Sequence, residues 1–261
     1  MTATSIEFHA VARALPSNSP VSQYGYRARV SQHHGLYVLL LQAGIGPDRA
    51  RKGTRQLFAN AVWDVVISTG FAGDLERDLI GSVLVGHEVC FTQFTSSHVS
   101  PSSPSILCHP DWIQTAKSVQ ESEAGFLRTG KFVSVNHVLT GSEEKQTLRA
   151  STEAVGVDME SAAIGEVAQE NGTPFLIVRT VSDGVHEDLP VDFNLFLRPS
   201  GWLIGTWRIM TTPKSWKGLI GLYQHSKQAS RQLTKFFKGF FSAISNLSSA
   251  PRPSRRETPI L

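Results

Sequence analysis

The sequence predicts a single α/β domain with a central mixed, twisted sheet flanked by helices, followed by a C-terminal amphipathic helix. Two segments alternate strand, helix and strand, at residues 35–73 and 154–183, and each strand run is continuously apolar. Such runs are expected of strands covered on both faces. The third observation is a change of character late in the chain, where residues 193–256 carry no acid and, after Gly201, an apolar stripe at helical spacing begins.

In chain order, residues 6–15 form one short element, stopped by the breaker cluster Pro16-Ser17-Asn18-Ser19-Pro20. Residues 35–41 are a buried strand that ends in the turn Gln42-Ala43-Gly44-Ile45-Gly46-Pro47. A helix over 48–60 leads to a second buried strand over 62–69, ending in Gly70-Phe71-Ala72-Gly73. That order is the βαβ building block of an α/β sheet. Residues 80–94 are apolar and β-rich, with Gly81 and Gly86 as bends, and 96–105 read as a Ser/Pro loop. A helix is expected over 111–124 and a strand over 131–139. Residues 154–159 form a strand feeding a helix over 160–169, which Asn171-Gly172 ends. Residues 175–181 form the next strand, ending at Ser182-Asp183.

Thr212-Pro213 supplies an N-cap and an N1 proline for a long helix reaching about Leu247. Its stripe contains Leu219, Leu222, Ala229, Leu233, Phe236, Phe237, Phe240, Ile244 and Leu247. Lys227, Arg231 and Lys238 lie on the opposite side. The expected division is therefore a catalytic domain over 1–200, a basic helical extension over 201–247 and a disordered tail over 248–261.

A hydrophobic content of 41% with 18% charged residues excludes a disordered chain. Cys90 and Cys108 are too few for a disulfide scaffold, which points to a reduced, cytoplasmic setting. Residues 1–10 lack a basic segment followed by an apolar one, so no secretory signal is expected. The net charge of +3 conceals an asymmetry: residues 1–192 hold 14 Lys/Arg and 21 Asp/Glu, while 193–256 hold 11 Lys/Arg and no acid. The basic half carries no nucleic-acid motif, so no nucleic-acid partner is expected. His33-His34 and the other histidines show no metal spacing, and neither metal nor cofactor is expected.

In open α/β sheets function gathers at the carboxyl ends of strands. Three such ends carry special residues: 70–73, Asp158-Met159-Glu160, and Arg179-Thr180-Val181-Ser182-Asp183. Carboxylates at two of these ends can face one pocket with separate tasks. Structural roles compete: the glycines serve turns, an Asp after a strand serves as a cap, and Glu160 at a helix start favours the helix dipole.

The ordered set Gly44-Ile45-Gly46, Ser68-Thr69-Gly70-Phe71-Ala72-Gly73, Val157-Asp158-Met159-Glu160-Ser161-Ala162-Ala163 and Val178-Arg179-Thr180-Val181-Ser182-Asp183 resembles the nucleoside phosphorylase/nucleosidase superfamily. Within it the pattern is similar to methylthioadenosine/S-adenosylhomocysteine nucleosidases. The late segment Leu189-Pro190-Val191-Asp192-Phe193-Asn194 and the basic helix resemble a bacterial subgroup of nucleosidase-like proteins.

The resemblance implies cleavage of a purine N-glycosidic bond, in an adenosine-type nucleoside that can carry a 5′ substituent. Asp183 would protonate the purine N7, a contribution of about 10²–10⁴-fold. Glu160 would accept from the ribose hydroxyls, with Met159 packed beside the sugar. Phe71, Ala72 and Gly73 would border the substrate, Val138 and Leu139 would line the base pocket, and Arg179 and Ser182 would orient nucleophile and acid. Phe71 stands where phosphorylases carry a serine, and Ser68 where hexameric phosphorylases carry an arginine. Arg179 alone, or with Arg13, is a thin phosphate site, so water is the expected nucleophile. Glu7 is the only acid before Asp48 and is the default base. The alternatives are a phosphorolytic purine nucleoside phosphorylase and a non-catalytic nucleoside-binding protein.

The resemblance also implies a homodimer or higher homo-oligomer. For the C-terminal helix, packing against the fold is the commoner fate of an amphipathic helix. The rival is peripheral membrane contact, which would fit a lipid-linked nucleoside.

Overall fold

A computed structural model describes residues 1–22, 24–33, 35–95, 98–101, 103–119, 126–189 and 213–249. The elements are α1 (Ser5–Ala12), β1 (Asn18–Val21), β2 (Arg27–His33), β3 (Leu36–Gln42), α2 (Pro47–Phe58), β4 (Val66–Asp74), β5 (Val83–Thr95) and β6 (His98–Pro101). They continue with β7 (Ile106–Leu107), α3 (Pro110–Ser118), β8 (Leu127–Ser134), α4 (Ser142–Thr152), β9 (Gly156–Asp158), α5 (Ser161–Glu170), β10 (Phe175–Asp183) and α6 (Pro213–Ser249).

The main sheet is mixed, with order β10-β4-β9-β8-β5-β6 and β7 attached to β5. Because β10 also pairs antiparallel with β5, the strands β10, β4, β9, β8 and β5 close on themselves. Closure removes the exposed strand edges that an open sheet would present. The closed interior is tight. A Cβ at Gly156 would stand 2.9 Å from the Phe132 ring and 3.0 Å from Leu84, so β9 can cross there only as glycine.

A second, antiparallel sheet runs β1-β2-β3. Residues 1–3 join it to the main sheet. Thr2 N–H donates to Leu41 O at 2.9 Å and Ala43 N–H to Thr2 O at 2.8 Å. On the other side Thr69 N–H donates to Met1 O at 3.0 Å, and the Met1 amino group donates to Ile67 O at 2.9 Å. This fixes the start of α1 beside the middle of β4.

Helix α6 lies within the fold. Leu233, Phe236, Phe237, Phe240 and Phe241 are buried in one cluster with Phe8 and Val11 of α1, Leu40 of β3, Val83 of β5, and Leu176 and Val178 of β10. Phe236 meets Phe237 edge-on at 5.4 Å and stacks on Phe240 at 5.6 Å. Lys227, Arg231 and Lys238 are exposed. The stretch of the stripe from Ala229 to Phe241 is thus covered by the chain itself, while Ile220 and Tyr223 nearer the start of the helix are exposed. No helix among the described residues is long and apolar enough to cross a membrane.

Several expectations shift. The strand expected over 62–69 is β4, which starts later and runs through Gly70-Phe71-Ala72-Gly73 to Asp74, since those glycines make room for neighbours within the strand. The strand expected over 131–139 is β8, which ends at Ser134 and leaves Val138 and Leu139 in the following loop. Residues 98–101, read as loop, pair with β5 as β6. Strands β1 and β2 and helix α4 carry too few apolar residues to be anticipated. Residues 190–194, Thr212 and the tail from 250 lie outside the described residues.

Truncating Phe236 to Ala is expected to destabilise the protein by about 3–5 kcal/mol, against about 0.5 kcal/mol or less for Lys238→Ala. Urea unfolding of the two variants measures the difference.

Candidate active site

Three strand ends and the first turn of α1 converge on one pocket of about 220 Å³. Its lining includes Glu7, Phe71, Ala72, Gly73, Val138, Leu139, Met159, Glu160, Ser182 and Asp183. Every expected site residue except Arg179 therefore borders one space. Arg179 lies directly behind the pocket and is 2% exposed.

Arg179 organises the floor. Its Nη2 lies 3.0 Å from Asp158 Oδ2 and 3.5 Å from Glu160 Oε2. The same nitrogen donates to Ser68 Oγ at 3.0 Å and Ser161 Oγ at 3.2 Å, while Nη1 donates to Phe71 O at 3.2 Å. Burial works against the guanidinium charge. Asp158, Glu160 and Glu7 together outweigh it and hold Arg179 above its ordinary range.

Asp158 serves the fold. Its Oδ1 accepts from Ser134 Oγ at 2.5 Å, Ser161 N–H at 3.1 Å and Glu160 N–H at 3.2 Å. Ser161 Oγ donates to Oδ2. Asp158 thus caps α5 from the end of β9, as short polar acceptors do at helix starts. The next carboxylate, Glu160, is free of capping duty.

Glu160 Oε1 accepts from Gly46 N–H at 2.9 Å. Gly44 and Gly46 have φ of +98° and +99°, so the turn needs glycine to aim that amide inward. Burial pushes the Glu160 carboxyl from 4.5 up to about 7, opposed by Arg179 and the Gly46 amide and reinforced by Asp158 and Glu7.

Glu7 sits in the first turn of α1, whose N-cap Thr4 forms a capping box with it. Its Oε2 accepts from Thr4 N–H at 2.7 Å and Ala3 N–H at 3.0 Å. Its Oε1 accepts from Phe71 N–H at 2.8 Å, across the sheet. Gly70, at φ +151°, lets this happen, because a Cβ there would collide with Glu7 Oε1.

Asp183 owes its position to a bulge at the end of β10, where the pairing with β4 shifts between Val181 and Asp183. Simple alternation would send Ser182 and Asp183 to opposite faces; the bulge turns both to the pocket. Ser182 Oγ donates to Asp183 Oδ1 at 2.8 Å. Gly73 leaves space for the carboxylate, since a Cβ would stand 3.0 Å from Asp183 Oδ2.

Arg13, weighed as a phosphate ligand, is exposed at the far end of α1 and does not line the pocket. Residues not anticipated are Ile45, His137 and Lys145, which also line it. Lys145 lies on α4, and its only sequence signal is the spacing of buried Lys145 and Leu148 on one helix face. Among the described residues no group of three or more His, Cys, Asp or Glu side chains could hold a metal ion.

The chain is thus a closed mixed sheet with carboxylates gathered at its strand ends. The phosphorylase superfamily model matches residues 1–198, and the chain belongs to that superfamily. It is 30% identical over 173 residues to the 5′-methylthioadenosine/S-adenosylhomocysteine nucleosidase of Actinobacillus succinogenes, covering 63% of this chain and 75% of that protein. The corresponding nucleosidase of Haemophilus influenzae is 29% identical over 176 residues, covering 63% and 76%. Among solved structures, the Neisseria meningitidis nucleosidase in complex with methylthio-immucillin-A superposes with a TM-score of 0.72 at 22% identity, covering 93% of this chain and 96% of that one. The futalosine hydrolase of Helicobacter pylori gives 0.70 at 17% identity, covering 92% and 95%.

A group whose folded pKa is raised stabilises the fold below its unfolded pKa and loses that contribution as pH rises through the folded value. Glu160 should therefore reduce stability between pH 4.5 and about 7, with a slope of up to about 1.4 kcal/mol per pH unit. Glu160→Gln should remove that slope; urea unfolding of both proteins across this range, compared as a difference, measures it.

Proposed function

We propose that this nucleosidase hydrolyses the N-glycosidic bond of an adenosine-type purine nucleoside, with 5′-substituted adenosines as the favoured substrates. The single observation that carries the proposal is the gathering of Glu7, Glu160 and Asp183 around one pocket, each held by different partners. With Asp158, which also borders the pocket, given over to Arg179 and α5, the remaining three carboxylates suit a reaction with three separate electrostatic needs.

In this scheme the C1′–N9 bond breaks and its electron pair moves into the purine. Asp183 gives its proton to N7, so the base leaves neutral. The sugar becomes oxocarbenium-like, and Glu160 accepts from the ribose hydroxyls while its charge favours the cationic ring. Water bonds to C1′ and passes a proton towards Glu7. Met159 supports the ribose, and Val138 and Leu139 border the base.

Water is favoured over phosphate by what already engages the Phe71 amide and Arg179. Phosphate would need the Phe71 amide and Arg179, but Glu7 accepts from that amide at 2.8 Å and Arg179 is engaged by Asp158 and Glu160. A phosphate dianion entering there would meet a carboxylate with no free cation to offset it. Hydrolysis also agrees with the hydrolytic names of the similar proteins.

Base release from methylthioadenosine, S-adenosylhomocysteine and futalosine in phosphate-free buffer tests the proposal. Release of adenine from the first two is expected, and Asp183→Asn should lower kcat by about 10²–10⁴-fold. Binding of these nucleosides without turnover of any would favour a non-catalytic binding protein; wild-type activity in Asp183→Asn would remove Asp183 as the acid.

A further inference from the structure

We infer that Lys145 is a positioning residue that fixes the orientation of Asp183 and stabilises the carboxylate left when that group gives up its proton. The inference rests on the assignment of Asp183 as the general acid.

The geometry is specific. Lys145 is fully buried on α4, and its Nζ lies 2.7 Å from Asp183 Oδ2. The same nitrogen donates to Gly184 O at 2.8 Å and to Glu187 O at 3.0 Å. An ammonium has three donors and no acceptor, so these three oxygens use its whole capacity and leave none for substrate. Lys145 therefore acts through Asp183. With Ser182 Oγ on Oδ1 and Lys145 on Oδ2, both carboxylate oxygens are held and the group has one orientation.

A buried ammonium is costly unless paired, and the fold invests in placing this one. Helix α4 begins at Ser142, whose N–H donates to Asp188 Oδ1 at 2.7 Å, and Glu144 Oε2 accepts from Thr140 and Gly141 N–H at 3.1 Å each. The Glu144 contacts cap the helix, while the Asp188 contact and Leu189 N–H donating to Thr140 O at 2.8 Å tie the start of α4 to the segment after β10. The segment is braced again from α6, where His225 Nδ1 lies 3.4 Å from Glu187 Oε1.

The chemical consequence follows from where charge appears. When Asp183 passes its proton to the purine nitrogen, the O–H bond breaks and the carboxylate gains a full negative charge. A cation 2.7 Å away stabilises that product. Other ionisable groups around the pair are Asp78 and His186 beside Gly184, Glu187 with His225, and Asp188. Across the pocket stand Glu7, Asp158 and Glu160. None of these supplies a cation in direct contact with Asp183 among the described ion pairs.

The test is kcat against pH for the wild type, Lys145→Met, Lys145→Gln and Lys145→Arg, beside Asp183→Asn. In the Met and Gln variants the descending limb of the profile should move to higher pH, with kcat at the optimum reduced about tenfold or more. Lys145→Arg, which keeps the charge, should leave the limb within a few tenths of the wild-type position. An unmoved limb in Met and Gln overturns the inference, as does a loss of fold in all three variants, which would make Lys145 a structural brace alone. Asp183→Asn separates the two assignments. If it abolishes the limb while the Lys145 variants leave it in place, only the role of Lys145 falls; if it keeps both limb and rate, the acid itself was wrongly assigned.

Discussion

The constraint on which the site depends is the burial of one guanidinium. Arg179 is almost wholly enclosed at the middle of β10, so its charge must be met locally. Asp158 meets it and at the same time caps α5, which sets where that helix begins. The start of α5 in turn sets where Glu160 points. Removing either partner would leave a buried charge uncompensated, at a cost of about 3–5 kcal/mol. One ion pair thereby links the strand that ends in Asp183 to the helix that presents Glu160.

Glycine provides the complementary constraint. At Gly70 a side chain would displace Glu7, at Gly73 it would crowd Asp183, and at Gly46 the positive φ aims an amide at Glu160. Three carboxylates each approach the backbone at a residue that lacks a Cβ. Their mutual repulsion is offset by the Gly46 and Phe71 amides and by two buried cations, Arg179 against Asp158 and Glu160 and Lys145 against Asp183. The division makes chemical sense for a reaction that leaves a cationic sugar between an acid and a base.

Much of this was legible in the sequence, for physical reasons that differ by residue. The strands leading to Asp158 and Arg179 are continuously apolar and stop at carboxylates, so both the fold and the candidates Glu160 and Asp183 stand out. Glu7 could be chosen only by elimination, because its reach to Phe71 depends on residues 1–3 threading between β3 and β4. Lys145 was not legible. It lies on a polar helix, and only the register of α4 against the segment after β10 turns an ordinary lysine inward. Val138 and Leu139 border the pocket from the loop after β8 and not from a strand, since Asn136 and His137 give that stretch no apolar continuity. The stripe of α6 gave its helix, while its partners on α1 and β10 became visible only in three dimensions.

The proposed role of Glu7 is to hold the Phe71 amide and leave the pocket to water in place of phosphate. The most direct measurement is the fate of the sugar when a cleaved nucleoside is turned over in ¹⁸O-labelled water with and without inorganic phosphate. The account predicts free ribose carrying one ¹⁸O at C1 under both conditions, with no acceleration by phosphate. Formation of a ribose 1-phosphate, with the label absent from C1, would contradict it.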